Sequence, residues 1–218
     1  MFFVELNNMN SVVKLGFREL DSLLDSDGLK QGSVSLVCSR SGMGKSTLAL
    51  NIIDNNIGKK SIVFFNYESS KSRLLERMKS DYSDRNFFVY ECTDDSIEDI
   101  IRECRKLKET SSLDLVIIDY MQLISCGINI VRQKNFNSCI LSKLGDLARE
   151  CGVAIVLLSQ VPRIDKKITI DDLYLDEEAL NNLSNIMYLC RNYEDNGVEI
   201  EVLKGKLLQN VRIKLKLD

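Results

Sequence analysis

A chain of 218 residues is long enough for one globular domain with a sizeable core and short for two. Its 32 acidic and 29 basic residues leave a net charge of -3, so a nucleic-acid surface has to be a local basic patch and not a property of the whole. Histidine is absent, which excludes an imidazole-ligated zinc and any Ser-His or Cys-His nucleophile.

In chain order, "MFFVELNNMN" carries neither a basic region nor a long hydrophobic stretch, and no apolar run is long enough to span a bilayer. With seven cysteines lacking repeated C-x-x-C spacing, this points to reduced thiols and a cytoplasmic protein without membrane attachment. "KLGFRELDSLL" reads as a short helix. Five apolar runs follow as buried strands, at 33–38, 61–67, 86–90, 113–119 and 153–159. Between them, 45–57, 70–82, 95–109 and 135–151 have helical spacing, as in Ile97, Ile100, Ile101, Cys104 and Leu107. Apolar strands alternating with helices predict an α/β fold with a parallel sheet covered on both faces. After 185, "NIMYLCRN", "VEIEVLKGK" and "VRIKLKLD", with "EDNG" as a hairpin signal, predict an antiparallel extension at one edge. The leading helix is expected across the other side. With one proline and no low-complexity tract, residues 1–218 read as a single domain, its core at about 15–190 and its β extension at 191–218.

The stretch "SLVCSRSGMGKSTLALNII" has the makings of a phosphate cradle. Gly42 and Gly44 free the backbone so that amides around Ser41, Met43 and Thr47 can face phosphate. Lys45 reaches the terminal phosphates, and Ser46 offers a hydroxyl to magnesium. Ser39, however, stands where G-x-x-x-x-G-K-[ST] has its first glycine. Asp119, ending the apolar run "LDLVIID", needs a cation or hydrogen bonds to offset desolvation, and magnesium would supply one. Glu68 is either a group that orients an attacking water or an acid favoured by the dipole of the next helix. Gln160 either senses the terminal phosphate or satisfies its own turn. Arg132, Lys134, Arg163, Lys166 and Lys167 fall in the segments after Asp119 and Gln160, as phosphate-backbone contacts or as solvated charge. Lys204 and Lys206 alternate on a late strand, where lysines also protect sheet edges.

Taken together, "LGFRELDSLL", "SRSGMGKSTLALNI", "VIIDYMQLIS" and "LGDLARECGVAIVLLSQVPR" resemble the RecA-like motor domain of DnaB-family replicative helicases, over nearly the whole chain from about Leu15. The fold is more distantly similar to KaiC-like and RadA-like ATPases. The resemblance implies ATP and Mg2+ as cofactors, Glu68 as catalytic glutamate, Gln160 as sensor, and "EVLKGK" as the segment whose Lys204 and Lys206 reach a neighbouring subunit's ATP. Lys206 stands where the family has arginine, a pairing more similar to RecA recombinases. Tyr174, Leu175, Asp176 and Glu177 stand where the family ends its second DNA-contacting loop with arginine, glutamate, serine and glycine. The implied partners are single-stranded DNA, further copies of the chain in a hexameric ring, and other replication proteins.

Two functions fit these residues. One is a motor that couples Mg2+-ATP hydrolysis at subunit interfaces to movement on single-stranded DNA. The other is an ATP-gated assembly or helicase-interacting protein that keeps the nucleotide site and does not unwind.

Overall fold

The computed structural model of the chain describes residues 12–78, 86–93, 96–125, 133–163, 167–192, 197–206 and 211–217, the side chains of 133–135 excepted. After a short helix α1 (Arg18–Leu23), strands and helices alternate: β1 (Ser33–Ser39), α2 (Lys45–Asn56), β2 (Ile62–Asn66), α3 (Lys71–Arg77), β3 (Phe87–Glu91), α4 (Ile97–Thr110), β4 (Leu115–Asp119), α5 (Gln133–Cys151) and β5 (Ala154–Gln160). A short helix α6 (Glu177–Asn181) then leads into β6 (Leu183–Arg191), β7 (Val198–Lys204) and β8 (Val211–Leu215). The strands form one sheet of eight in the order β3-β2-β4-β5-β1-β6-β7-β8. β1 to β6 run parallel, and β7 and β8 are antiparallel to their neighbours.

Alternation along the strands divides the core into two layers. Val34, Leu36 and Cys38 of β1, Val63 and Phe65 of β2, and Ile155 and Leu157 of β5 pack against α4 and α5. Val37, Phe64, Leu115, Ile117 and Val156 pack on the opposite face against α1, α2 and α3. Strands buried on both faces have to be apolar at nearly every position, which is why the runs were visible in the sequence. Three of the helices begin where side chains satisfy their free amides, and α1 follows Phe17 without such a cap. Ser70 caps α3, Ser96 and Asp99 form a capping box on α4, and Asp176 caps α6. α2 instead starts on Gly44, in the left-handed region at φ 102°, with no side-chain cap.

Four expectations change. The strand holding "NIMYLCRN", expected in the antiparallel extension, runs parallel to β1, and the antiparallel pairing begins only with β7. The leading helix does not lie away from the antiparallel strands. Leu23 O accepts from Lys206 N–H at 3.0 Å, so α1 docks beside the end of β7. β7 lies between β6 and β8, so Lys204 protects no edge. Residues 174–177 turn into α6, which sequence patterning missed because a helix of five residues is too short for a 3.6-residue period to register. No helix among the described residues is long and apolar enough to cross a membrane.

Candidate active site

The C-terminal ends of β2, β4, β5 and β1 lie side by side, and each delivers one of the expected groups. Asn66 at the end of β2 pairs with Asp119 at the end of β4. Gln160 at the end of β5 pairs with Ser39 at the end of β1. In an open α/β sheet this edge is the ligand side.

The cradle follows β1. Ser39 is fully buried and still a strand residue, paired with both Gln160 and Leu189, so it needs no positive φ. The left-handed conformations fall later, at Gly42 (φ 75°) and Gly44 (φ 102°), which is why glycine is needed there and not at 39. The serine also has a role of its own. Its hydroxyl donates to Arg40 O at 2.7 Å and accepts from Lys45 Nζ at 3.2 Å. Lys45 is 6% exposed, and burial lowers its pKa against the opposing pull of Asp119, Glu68 and Cys38.

Across from the lysine, Ser46 Oγ donates to Asp119 Oδ2 at 2.7 Å and lies 3.3 Å from Glu68 Oε2. Asp119 is 1% exposed, and burial pushes its carboxyl up to about 6, with the Ser46 bond opposing and the Glu68 charge reinforcing the rise. Its second oxygen, Oδ1, is buried and has no hydrogen-bond partner among the described residues. A desolvated carboxylate with a spare oxygen next to a hydroxyl suits a hard, oxygen-seeking ion. No group of three or more His, Cys, Asp or Glu that could hold a metal is found among the described residues. The two oxygen donors of Ser46 and Asp119 fit an ion such as Mg2+ that takes its remaining positions from waters and substrate phosphates.

Glu68 is exposed at the head of the turn after β2. Its support comes from Asn66, which sequence reasoning did not single out. Asn66 is 1% exposed; its Oδ1 accepts from the Glu68 and Ser69 amides at 3.3 Å, and its Nδ2 donates to Ser69 O. Such an Asx turn fixes the backbone that aims Glu68. Arg77 was missed as well. It ends α3, donates from Nη2 to Thr47 Oγ1 at 2.9 Å, and is close enough to Asp119 to lower its pKa. An arginine late in a helix reads as ordinary dipole compensation, so only folding reveals that it faces the cradle.

The remaining expected residues are dispersed. Lys204 ends β7 opposite Ile186 of β6, which pairs in turn with Leu36 of β1, and its Nζ reaches back to the start of β6, donating to Leu180 O and Leu183 O at 2.6 Å. Lys206 pairs with Asp27 at 3.1 Å. Lys167 pairs at 2.7 Å with Glu201, a β7 residue only 2% exposed. Arg163 is exposed. Arg132, Lys166 and the side chain of Lys134 lie outside the described residues. In the segment 174–177, Tyr174 takes φ 54° and is 51% exposed, Leu175 is buried, and Asp176 caps α6 by accepting from Ala179 N–H at 2.8 Å.

Known proteins share this fold. One solved structure, an isolated ATPase domain, superposes with a TM-score of 0.81 at 22% identity, covering 93% of this chain and 87% of that one. A DnaB-like replicative helicase, described with its interactions with primase, superposes at 0.77 and 23% identity, covering 93% of this chain and 59% of that one. At such identities the likeness carries the fold alone, which is the RecA-like α/β fold of these ATPase domains. In sequence, the replicative DNA helicase DnaB of Leifsonia xyli subsp. xyli is 30% identical over 74% of this chain and 42% of its own length. The corresponding helicase of Geobacillus stearothermophilus is 28% identical over 69% and 40%. A probable plasmid replicative DNA helicase of Chlamydia psittaci is 24% identical over 82% and 47%. The chain thus spans less than half the length of these three relatives. The profile of the family described as "DnaB-like helicase C terminal domain" matches residues 12–84 and 78–172, most of the chain and all four strand ends of the site. The chain belongs to the DnaB-like helicase C-terminal domain family.

Proposed function

We propose that this chain is the ATP-hydrolysing motor domain of a replicative helicase, active on single-stranded DNA. It would hydrolyse Mg2+-ATP at the interfaces of a homo-oligomeric, hexameric ring, as a single domain of residues 1–218 in the cytoplasm. The observation that carries this reading is the meeting of Ser46, Asp119 and Glu68, at 2.7 and 3.3 Å, beside a helix start left uncapped. Backbone amides from Ser41 to Thr47 would hold the triphosphate, and Lys45 would neutralise charge building on the terminal phosphates. Ser46 and Asp119 would hold Mg2+, which supplies Lewis-acid stabilisation of the phosphates when bound. Glu68 would orient and deprotonate the attacking water, and Gln160 would read the terminal phosphate.

Lys204 and Lys206 would act on a neighbour's nucleotide. The antiparallel course of β7 supports this, because it runs away from their own cradle, as head-to-tail assembly requires. Lys204 would exchange its two carbonyl partners for phosphate, and Lys206 would leave Asp27. Arg132, Lys134, Arg163, Lys166 and Lys167 remain candidates for the DNA backbone, with Lys167 first having to leave Glu201. Other replication proteins are proposed partners; primase is the one named for a structural neighbour.

The test is ATP turnover with and without single-stranded DNA. Turnover is expected to rise with DNA and to vanish in Lys45→Ala. Mixing Glu68→Gln subunits with Lys204→Ala,Lys206→Ala subunits should restore part of the activity if the lysines act across an interface. A second reading, the ATP-gated assembly protein, is favoured by the engagement of Lys167 and by the acids Asp171, Asp172, Asp176, Glu177 and Glu178 beyond it. DNA affinity that falls steeply with salt supports the motor, and negligible affinity at low salt selects the switch.

A further inference from the structure

The ladder between the strand carrying Asp119 and the strand carrying Gln160 stops early. β4 pairs with β5 only as far as Ile118 opposite Leu157, while β5 runs on to Gln160, held on its other flank by Ser39. One side chain closes the flank that β4 leaves. Gln122 lies three residues beyond Asp119, in a 3-10 turn over Met121–Leu123. Its Nε2 donates to Ser159 Oγ and to Gln160 O, both at 2.8 Å, and its Oε1 accepts from Gln160 N–H at 3.1 Å. A carboxamide has the donor and acceptor of a peptide group, so it can stand in for a missing strand partner.

We infer that Gln122 is a positioning residue for the ATPase reaction: its amide locks the end of β5 in register with Asp119 and so holds the Gln160 side chain at a fixed distance from the metal-binding carboxylate. The inference rests on the nucleotide reading above. It assigns Gln122 no contact with the phosphates; the residue acts through Gln160. The physical reason for such a clamp is the precision that phosphoryl transfer demands. A sensor on a frayed strand end samples many positions, and a misplacement of about 1 Å costs rate without costing ground-state binding. Three hydrogen bonds from one side chain, two of them to the Gln160 backbone, remove that freedom. The same clamp ties together the roots of the two segments that bear the candidate DNA-contacting residues.

The experiment compares Gln122→Met, similar in length but unable to make these bonds, with Gln122→Glu, which keeps the acceptor and sets a carboxylate oxygen against the Gln160 carbonyl. Both are expected to lower kcat for Mg2+-ATP by about tenfold while KM stays within about twofold, a split that signals lost transition-state positioning. Ser159→Ala, which removes one bond of the three, should change kcat by less than about twofold. In the nucleotide-free protein, amide hydrogen exchange at Gln160, read by NMR, should accelerate in Gln122→Met by about tenfold or more as its acceptor is lost. Unchanged kcat in Gln122→Met alongside faster exchange reduces the clamp to a structural bond and overturns the inference. Unchanged exchange at Gln160 overturns the clamp itself. A wild-type protein without ATP turnover overturns the ATPase reading instead, and the exchange arm, which needs no nucleotide, then decides separately whether Gln122 holds the strand.

Discussion

At the C-terminal edge of the parallel strands, Lys45 and Asp119 are 6% and 1% exposed, yet Asp119 Oδ1 has no partner among the described residues. Burial moves both groups toward their neutral forms, Asp119 up to about 6 and Lys45 downward. On the antiparallel side Glu201 Oε1 also lacks a hydrogen bond among the described residues, but its charge is ion-paired. Burial works to raise the Glu201 carboxyl, but Lys167 at 2.7 Å and Arg212 at 3.0 Å outweigh it and hold it below its ordinary range. Lys204 has two carbonyls for its ammonium, although burial lowers its pKa as it does that of Lys45. A charge desolvated without a full set of protein partners is stable only when something else completes it. The difference teaches where this protein expects a ligand: the incomplete edge, and not simply the most charged one.

The comparison breaks most directly at Lys45. Lys45→Ala should reduce Mg2+-ATP turnover by at least about a hundredfold, since on the proposed reading it removes the buried cation that would neutralise the terminal phosphates; a phosphate-release assay that finds it active would mean that the incomplete edge is not the chemical one. The next effect is on stability against pH. The carboxyl of Asp119 titrates at about 6 in the folded protein and near 4 when unfolded. The folded state therefore binds this proton more tightly, and the stabilisation is complete below about pH 4 and lost as pH rises through about 6. The upper bound is about 3 kcal/mol. Asp119→Asn should flatten that portion of the profile, measured by urea unfolding of the nucleotide-free protein between pH 4 and 7.

The matched side should respond through structure instead. Lys204→Ala removes the part-buried ammonium shared by Leu180 O and Leu183 O and should cost about 1–3 kcal/mol of unfolding free energy. Lys206→Ala removes an exposed ion pair with Asp27 and should cost less than about 1 kcal/mol in the same measurement. Equal effects from the two lysines would contradict the distinction drawn here between a completed and a loosely held cation. The smallest change expected is in Arg77→Ala. Its guanidinium is exposed and bonds Thr47, so stability should move by less than about 0.5 kcal/mol, while turnover, read in parallel, falls a few-fold as a cation near Asp119 is lost.

Much of the molecule was legible because burial on two faces writes itself into composition. The first five parallel strands were found to within two residues, since each must be apolar along its length. Gly42 and Gly44 were legible because a left-handed turn between strand and helix restricts residue type, and Ser39 was tolerable because that turn falls after it. Asn66, Arg77 and Gln122 were not legible as site residues. An asparagine in an apolar run, an arginine late in a helix and a glutamine in a turn each satisfy a local rule and carry no sign of a distant partner. Helix α6 was lost for a related reason, its five residues holding too little pattern to read.

The sequence by itself determined the alternation of strands and helices, the phosphate loop, and which acids end which strands, because these depend on local periodicity and on residue chemistry. Only the tertiary structure decided that Asp119 faces Ser46 and Glu68 with one oxygen unpartnered among the described residues, that Lys204 reaches the start of β6, and that Gln122 completes the end of β5. Those facts depend on strand order and register, which bring together residues dozens of positions apart, and local pattern carries no record of that pairing.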